Sequence, residues 1–471
     1  MRTSVAAASV ALAGALGALA VAGSPVVLAG QATPVVAIRN VSVIPMDAPG
    51  ILAARTVVVA GGAIQTIGPV ADVRIPVGAR VLDGTGRYMV PGFADMHAHL
   101  WRQATLDLML AHGITVARDM NAYPQFTTWR WEIERGVRVG PRLVLASRIF
   151  EGTPPPEHAD VIITEGRVIV DDSAAAADSV LAHVTRGVNA IKVYNNLNAA
   201  AYRGITVRAR QLDVPVVGHV PFSVGLAGVF GAGQRSIEHL RGYLPASWPA
   251  GASDPPGADF RSRLVNWRRT DTIRLRALAT ETAQRGIWNV PTLATNLDLL
   301  PVARIGELTA RRGWQQCMRG ARADPVASRA RIPYFAVMSD ADFTATQAGV
   351  VVQKQLVRML HEAGAGLLVG TDRLPWGYSF HWELEELVSA GLAPWDVLYA
   401  ATLGAARFLG QDSTHGSLTP GKAAEFVLLD ANPLDDIRNA RRISAVFAGG
   451  RLLEAAALDS LRTSGCNELS R

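Results

Sequence analysis

Eight short apolar segments, each ending in a polar residue, alternate with helical segments along this chain and restrict its fold more than any other feature. Apolar runs bounded by turn residues are typical of buried strands. Strict alternation with helices implies parallel strands joined by crossovers, and eight such units predict a (β/α)8 TIM barrel of the α/β class. The apolar segments are residues 90–99, 115–120, 142–150, 190–194, 215–220, 236–240, 288–293 and 367–372. The helical segments include residues 174–186, 199–211, 270–285 and 351–363.

A small β-sandwich domain is predicted from both ends of the chain. From residue 35 to residue 88, β-branched runs alternate with Gly-Gly and Pro-Gly turns, and strand-like runs return at 424–430 and 444–447. Such runs, bounded by turn residues, favour an all-β unit. The predicted domains are a signal peptide (1–30), the N-terminal part of the β domain (31–89), the barrel (90–410), and the C-terminal part of the β domain with a tail (411–471).

The composition is that of a globular protein without a nucleic-acid site. With 49% hydrophobic and 18% charged positions among 471 residues, the chain can bury a large core. The net charge of +6 comes from arginine, because Lys192, Lys354 and Lys422 are the only lysines. Basic residues form no long run and do not alternate with aromatic residues, so we expect no nucleic-acid partner.

Residues 1–30 have the features of a secretory signal peptide. One arginine precedes a run rich in Ala, Val, Leu and Gly, and small residues suit cleavage between residues 22 and 32. A membrane anchor is the alternative, although the run is only marginally long enough to span. No later segment has about 18 consecutive apolar residues. We therefore expect a periplasmic or secreted protein with no stable membrane insertion after signal removal.

The two cysteines of the chain have no metal-like neighbours. In an oxidising compartment Cys317 and Cys466 could pair, but their separation in sequence gives no geometric support. The sequence leaves open whether they form a disulfide, and it slightly favours two unpaired cysteines.

Residues with metal-ligand chemistry lie at the ends of the predicted strands. In a TIM barrel, functional groups lie at the C-terminal ends of the strands. His97 and His99 are one residue apart, so both imidazoles project from one face of a strand and can reach one cation. Each histidine alone is better explained as a core or surface residue, but the whole set favours a metal site. The set is His97, His99, Lys192, His219, His239 and Asp372.

This set and the sequence around it resemble the amidohydrolase superfamily, and within it the imidazolonepropionase-like and prolidase-like branch. The resemblance implies a binuclear centre of two divalent metal ions. It also implies that carbon dioxide carboxylates Lys192, which converts its cationic amine to a carbamate anion that bridges the ions. The similar segments are residues 90–99, 191–194, 218–219, 236–239 and 370–372.

The resemblance also implies a role for each ligand. His97, His99 and Asp372 would hold the more buried ion, and His219 and His239 the second. These ligand types suit zinc, although manganese, cobalt and iron accept the same groups. Two metals can share one water, which becomes hydroxide near neutral pH and attacks a polarised carbonyl. Asp372 is the expected catalytic residue, because it can pass the proton to the departing nitrogen; ligation alone is the alternative role.

Substrate contacts are expected from the loops that follow the strands. Arg241 and Tyr243 should lie over the metals, because they closely follow the strand that ends at His239. The chain between the strands ending at His239 and Asp372 is longer than two βα units need, and residues 245–257 and 307–340 are predicted to form a lid. The candidates for substrate binding are Tyr194, Arg241, Tyr243 and His158.

The predicted function is hydrolysis of an amide bond in a small substrate with a free carboxylate, such as a dipeptide or an N-acyl amino acid, as the prolidase-like resemblance implies. Because one fold supports many reactions, a cyclic amide, lactone, imidazolone or phosphotriester hydrolase is an alternative. A non-catalytic binding protein on this scaffold is another, although no ligand of the set is missing. The sequence leaves open the natural substrate, the metals, the signal cleavage site, the carboxylation state of Lys192 and whether the chain forms a homo-oligomer.

Overall fold

One sheet of eight strands contains segments from both ends of the chain. The computed structural model describes residues 35–154, 166–252, 260–319 and 323–469. The strands of this sheet are β1 (Val36–Val43), β2 (Leu52–Ala60), β3 (Ala63–Pro69), β4 (Arg80–Asp83), β5 (Tyr88–Pro91), β15 (Phe426–Leu429), β16 (Ile443–Ala448) and β17 (Arg451–Glu454). Their order is β17-β16-β15-β5-β1-β2-β3, with β4 paired to β1. The antiparallel pair β5 and β15 joins the two terminal regions.

Apolar side chains on one face hold this sheet together. Phe426 and Phe447 stack with ring centroids 5.2 Å apart, and both side chains are buried. The strand-like runs predicted at 424–430 and 444–447 are therefore present as β15 and β16. The sandwich arrangement and the domain boundaries stay predictions.

The middle of the chain forms two parallel sheets. The first has the order β6-β7-β8 and the second β10-β9-β11-β12-β13-β14, with these bounds: β6 (Phe93–Ala98), β7 (Ile114–Asp119), β8 (Arg142–Leu145), β9 (Phe150–Glu151), β10 (Val168–Ile169), β11 (Ile191–Val193), β12 (Val216–Gly218), β13 (Ser236–Glu238) and β14 (Trp288–Val290). Most of these strands are buried along their whole length, as expected where helices cover both faces of a parallel sheet. The segment predicted as one strand over 142–150 divides into β8 and β9.

Two isolated parallel bridges continue the pairing beyond these sheets. Ala146 pairs with Ala190, and Asn289 pairs with Leu367. Within the described ranges the strands still form two parallel sheets and not one closed sheet. The middle region is therefore an α/β fold, and its closure into one eight-stranded barrel stays a prediction.

The segment predicted as the last strand, residues 367–372, is extended but contains only the bridge at Leu367. The Asp372 N–H and the Thr371 N–H both donate to the carbonyl of His97, at 2.8 and 3.1 Å. Because two donors from neighbouring residues share one acceptor, a regular ladder cannot form there. The prediction that residues 367–372 form a regular strand is therefore wrong, although the segment does lie beside β6.

Helices follow most of the parallel strands, and several of these helices begin with a side-chain cap. The predicted helices at 174–186, 199–211 and 270–285 are present, and each begins after a residue whose side chain accepts backbone N–H groups: Asp172, Asn198 and Asp271. The longer helices are α1 (Gln103–Ala111), α2 (Gln125–Glu134), α3 (Ser173–Thr185), α4 (Ala199–Gln211), α5 (Gly225–Ala232), α8 (Thr272–Gln284), α13 (Asp340–Glu362), α14 (Tyr378–Ser389) and α17 (Ala455–Leu469).

The remaining helices have seven residues or fewer. They are α6 (Tyr243–Ala246), α7 (Phe260–Val265), α9 (Ile305–Thr309), α10 (Arg312–Cys317), α11 (Pro325–Ala330), α12 (Pro333–Ala336), α15 (Pro394–Ala400) and α16 (Leu403–Phe408). Short 3-10 helices cover Trp267–Arg269, Leu293–Leu299, Val302–Arg304 and Ile437–Arg441. Helices α9 to α12 lie in the segment 307–340 that was predicted to be a lid, or begin just before it.

A disulfide joins Cys317 at the end of α10 to Cys466 in α17, with 4.3 Å between the Cα atoms. The sequence slightly favoured two unpaired cysteines, and that expectation is wrong. The two helices pack side by side in a buried cluster that also includes Leu108 and Trp314, and this proximity could not be read from a separation of 149 residues.

The predicted signal peptide lies in residues 1–34, outside the described residues. Among the residues that are described, no helix is both long and apolar enough to cross a membrane.

Candidate metal centre

Two histidines at the end of β6 begin the candidate site. His97 is 1% exposed, and its Nε2 lies 3.9 Å from Oδ2 of Asp372. The Nε2 of His99 lies 3.2 Å from the other carboxylate oxygen, Oδ1. Alternation along a strand places residues i and i+2 on one face, and so both imidazoles meet the same carboxylate.

His219 and His239 extend this pair into a cluster. The ring centroid of His239 lies 4.5 Å from that of His97 and 4.9 Å from that of His219. One potential ligand atom from each of His97, His239 and Asp372 lies within 4.8 Å of the others. All six residues singled out at the predicted strand ends line the same cavity, which has a volume of about 250 Å³.

A polar neighbour orients each of three imidazoles through its Nδ1 atom. An acceptor at Nδ1 fixes the ring proton there, so the lone pair of Nε2 is directed into the cavity, as in protein metal sites. This donor set fits a divalent cation. The Nδ1 pairs are His97 with Glu238 (2.7 Å), His219 with Asn195 (2.8 Å) and His239 with Thr292 (2.6 Å).

The carboxylate of Glu238 is the centre of a buried network behind the ligands. Arg118 donates to it at 2.9 Å and the Ser236 hydroxyl at 2.6 Å, in addition to the contact with His97. Burial opposes ionisation, but the charge of Arg118 and the hydrogen bond from His97 outweigh it and hold the pKa of Glu238 well below its usual range. Glu238 is therefore an anion, able to orient and polarise the His97 ring.

Lys192 lies in the same cavity and is 1% exposed. Burial lowers the pKa of Lys192 to about 8, against the opposing charges of Glu238 and Asp372. The Lys192 N–H donates to the Ser147 hydroxyl at 3.0 Å, which fixes the backbone from which the side chain extends. A protonated amine at this position would repel a metal cation, whereas an unprotonated one would not.

The backbone is strained at three residues of the site. Asp372, His239 and Thr292 have φ angles of 47°, 58° and 50°, in the left-handed region that non-glycine residues rarely adopt. Each such residue costs about 1 kcal/mol or more, and it persists where the surrounding structure imposes it. Such strain is typical of functional sites, and it aims the side chains of Asp372 and His239 into the cavity.

Comparison with known proteins connects these residues to a family. The model of the amidohydrolase family matches residues 88–453, the part of the chain that contains all six cavity residues. The chain belongs to the amidohydrolase family. No curated protein sequence matches this amidohydrolase closely.

Solved structures similar to this amidohydrolase share its fold over most of their length. A bottromycin amidohydrolase is 25% identical, with 92% of this chain and 90% of that chain covered and a TM-score of 0.71. A candidate prolidase from Bifidobacterium longum is 24% identical, with 92% and 100% covered and a TM-score of 0.67. A Xaa-Pro dipeptidase with methionine in its active site is 17% identical, with 89% and 100% covered and a TM-score of 0.65. These similarities show an α/β, TIM-barrel-like fold.

Family membership gives the general chemistry of the site. The amidohydrolase is a metal-dependent hydrolase that acts on carbon–nitrogen bonds in a small-molecule substrate. The family uses a divalent metal, and the grouping of His97, His239 and Asp372 provides imidazole and carboxylate ligands of the right kind.

Tyr194, a candidate for substrate binding, lies beside the ligands. Its ring stacks on that of His219 at a centroid distance of 4.0 Å, and the guanidinium of Arg167 lies over the same ring, 4.3 Å from its centroid. Arg167 pairs with the buried carboxylate of Glu151 at 3.0 Å. Tyr194 is thus held in a stack at the wall of the metal cavity, where it can contact a substrate.

The other three candidates for substrate binding are placed differently. Arg241 lines a neighbouring cavity. Tyr243 is fully buried, its hydroxyl is 2.8 Å from that of Thr282, and it lines neither cavity. The expectation that Tyr243 lies over the metals is therefore corrected: it follows Gly242, which has a φ of 85° and turns the chain so that Tyr243 enters the core. His158 lies outside the described residues.

The neighbouring cavity is larger, with a volume of about 610 Å³. It adjoins the metal cavity, because Tyr194, His219, His239 and Asp372 line both. Most of its remaining wall is apolar and includes residues from the segment predicted as a lid. These apolar wall residues include Leu244, Trp267, Leu299, Trp314, Met318, Ile332 and Phe335.

Arg329 in α11 is a cation in the wall of this larger cavity that sequence reasoning did not single out. It is 6% exposed, and neither its Nε nor its Nη2 has a hydrogen-bond partner within the described ranges. Its guanidinium lies over the ring of Phe343 at 4.5 Å. Burial lowers the pKa of Arg329, and the charges of Asp298 and Asp340 act against that shift. No local sequence signal distinguishes this arginine from the many others.

Proposed function

We propose that this amidohydrolase is a binuclear enzyme of the prolidase-like branch, and that it hydrolyses an amide bond in a small substrate with a free carboxylate, a dipeptide or an N-acyl amino acid. The observation that carries the proposal is the convergence of four imidazoles, one carboxylate and one lysine on one cavity. A single tetrahedral ion needs four ligands at most, and this set offers six.

The ligands divide between two ions. His97, His99 and Asp372 would hold one ion, since both imidazoles face the same carboxylate. His219 and His239 would hold the other. Bound divalent ions, zinc being the first choice, supply Lewis acidity: they make water more acidic and polarise a carbonyl.

Lys192 would bridge the two ions after carboxylation. Its unprotonated, neutral Nζ would add to carbon dioxide with formation of a C–N bond, and the nitrogen would lose one proton; the side chain would change from a neutral amine to an anionic carbamate. The burial of Lys192 among His97, His219 and His239 supports this proposal, because an ammonium group would oppose cation binding there.

Asp372 would transfer the proton. One of its oxygens lies near His99 and the other near His97 and His239, so the carboxylate reaches across the whole cluster. It would accept a proton from the attacking water and deliver it to the amide nitrogen as the C–N bond breaks. Without that proton the leaving amine would depart as an anion.

Arg329 would bind the carboxylate of the substrate. It is buried with two nitrogens unsatisfied in the cavity that adjoins the ligands, and a guanidinium pairs well with a carboxylate. The apolar walls around it suit an acyl group or an apolar amino-acid side chain. A volume of about 610 Å³ is within the range of small-molecule sites.

A substrate panel tests this proposal on the metal-loaded enzyme. It contains dipeptides, N-acyl amino acids, the same compounds with the carboxylate amidated, lactones, cyclic amides including imidazolones, and phosphotriesters. We expect turnover of carboxylate-bearing amides and at least about tenfold lower kcat/KM after amidation. Exclusive turnover of lactones, cyclic amides or phosphotriesters would contradict the proposed substrate, and inactivity on the whole panel would favour a binding protein.

Two variants, measured on the same substrate panel, test whether Arg329 binds the substrate carboxylate. Arg329→Met should remove the preference for a free carboxylate, with most of the loss in KM. Arg331→Gln is the matched control, because Arg331 is exposed two residues further along and does not line the cavity. An unchanged preference in Arg329→Met would contradict the assigned role.

We also propose that the two parallel sheets form the wall of one (β/α)8 barrel closed by residues 367–372, and that the mature enzyme is periplasmic or secreted. The bridge between Asn289 and Leu367 and the hydrogen bonds to His97 support the first proposal. The signal features of residues 1–30 support the second. Mass spectrometry of the N-terminus from fractionated cells tests it: a protein that stays in the cytoplasmic fraction and retains residue 1 would contradict it.

A further inference from the structure

A third cavity of about 270 Å³ lies apart from the metal centre and has a cationic lining. None of the residues that line it lines either of the cavities at the metal centre. It lies where α1, α10, α14 and α17 meet the segment that precedes β16. Its arginines and histidines are Arg312, Arg441, Arg442, Arg462, His112 and His381.

Two of the four arginines already have anionic partners. Arg441 pairs with Glu385 at 3.1 Å, and Arg462 pairs with Asp459 at 2.5 Å. Arg462 also donates to the carbonyl of Ala111 at 2.9 Å. These contacts fix two guanidinium groups at the cavity without leaving their charges unbalanced.

The other two arginines have no such partner. Within the part of the chain that the structure describes, the side chains of Arg312 and Arg442 make no ion pair or hydrogen bond. The one acid in the lining, Asp430, pairs with Arg87 at 3.3 Å. The cavity therefore has an excess of two positive charges.

The cavity lining also includes a buried histidine whose ring nitrogens are poorly paired. His381 is 4% exposed, and neither of its ring nitrogens makes a hydrogen bond of normal geometry within the described ranges, although the backbone of His112 is close enough to raise its pKa. Burial, followed by the charge of Arg441, lowers the pKa of His381 to about 3, so the ring is neutral and carries one N–H donor. A buried donor whose hydrogen bond has poor geometry costs free energy that a ligand can recover.

The disulfide holds part of this lining in place. Arg312 begins α10 and Arg462 lies in α17, and the bond between Cys317 and Cys466 joins these two helices. The bond therefore fixes the backbone positions of these two arginines relative to each other, which lowers the entropy that is lost when a ligand binds.

We propose that this cavity is a binding site for a phosphoryl dianion, either inorganic phosphate or the head group of a small phosphomonoester. Two unbalanced guanidinium groups match a ligand of charge −2, which phosphate approaches near neutral pH. A carboxylate would neutralise only one of them. The volume of about 270 Å³ leaves room for a small organic group beside the phosphoryl oxygens.

Isothermal titration of the full-length, metal-loaded enzyme at constant ionic strength tests the site. The titrants are sodium phosphate, glycerol phosphate and sodium acetate. Because phosphate can also bind at the metals, the test is the difference between the wild type and the variant Arg312→Gln/Arg442→Gln. That variant should lose one binding event or bind phosphate about tenfold or more weakly. If sodium phosphate binds more tightly, the ligand is inorganic phosphate; if glycerol phosphate binds more tightly, the ligand is a phosphomonoester.

A control variant and an activity measurement complete the test. Arg74→Gln removes another exposed arginine for which no ion pair is described, outside the cavity, and should leave phosphate binding unchanged. Amide hydrolysis by the double variant at wild-type rates shows that it folds. Equal phosphate affinity in the double variant and the wild type, equal weakening in Arg74→Gln, or acetate binding as tight as phosphate binding would overturn the proposal.

Discussion

The side chain of Glu238 connects the metal centre to the core of the protein. It accepts from Arg118 and Ser236 on one side and lies against the His97 ring on the other, all within the buried interior. An imidazole ligand whose second nitrogen meets a carboxylate has a fixed orientation and higher basicity. Glu238 is therefore a positioning residue, which acts on the metal through His97.

Replacement of Glu238 by Gln should weaken both metal binding and stability. The variant leaves Arg118 as an unpaired buried charge, so we expect the free energy of unfolding to fall by about 3–5 kcal/mol, and metal affinity to fall about 10- to 100-fold. Urea denaturation and metal titration measure the two effects. Glu281→Gln is the matched control, since Glu281 pairs with Arg285 at the surface and should change stability by less than about 1 kcal/mol. Equal stability of the two variants would contradict this role.

The proposed bridge between the two metal ions requires that Lys192 be carboxylated. After incubation with 13C-labelled bicarbonate, the enzyme should show a carbamate carbon resonance that is lost in Lys192→Ala together with activity. Short carboxylic acids should partly restore turnover in that variant. Lys354→Ala is the control, because Lys354 pairs with Glu386 at 2.7 Å outside the site. A resonance that persists in Lys192→Ala, or activity that survives there, would contradict the carbamate.

At the scale of single residues, the metal ligands could be predicted from the sequence, but the residues that orient those ligands could not. The carboxyl ends of parallel strands converge, so histidines at several such ends indicate one shared site from the sequence alone. The contact between His97 and Glu238 spans 141 residues and depends on which side chains meet across several strands. Glu238 directly precedes His239, but nothing local shows that it turns toward His97.

At the scale of elements, helical spacing predicted the starts of three helices to within two residues. Asp172, Asn198 and Asp271 fixed the starts of α3, α4 and α8 close to the predicted residues. Helix α13 was predicted from residue 351 but begins at Asp340, because Ser339 and Asp342 form a capping box ahead of the amphipathic stretch. Apolar periodicity alone therefore placed the start of this helix too late.

The packing of α14 against the 3-10 helix Leu293–Leu299 depends on a buried carboxyl. Oε2 of Glu383 accepts from the Ala294 N–H at 2.6 Å. Burial raises the pKa of Glu383 from 4.5 to about 8, against the effect of backbone hydrogen bonds. Below pH 4.5 the folded and unfolded forms both hold the proton. As the pH rises from 4.5 to about 8 the unfolded form releases it first, so stability from this group is lost over that window.

The free energy of unfolding of Glu383→Gln should therefore depend less on pH. Between pH 5 and pH 8 the wild type should lose on the order of a few kcal/mol that the variant retains. Chemical denaturation at a series of pH values measures the difference. Glu281→Gln changes a carboxylate that pairs with Arg285 at the surface, and it should keep the wild-type slope. Parallel curves for the wild type and Glu383→Gln would show that this carboxyl does not titrate as described.

At the scale of the whole molecule, alternation of strand and helix predicted the α/β class correctly, and the terminal strand patterns predicted strands that join in one sheet. Long-range geometry determined the rest. The disulfide, the place of Tyr243 in the core and the irregular segment at 367–372 all depend on how distant parts of the chain meet. Periodicity reports only which face of an element is apolar.

The number of metal ions per active molecule is the most direct test of the binuclear centre. The metal-free enzyme is titrated with zinc, manganese or cobalt, and metal content by elemental analysis is compared with amide hydrolysis at each step. Six potential ligands around one cavity predict two ions per chain, with activity that rises as the second ion binds. Full activity with one ion per chain, unchanged on further loading, would contradict the account.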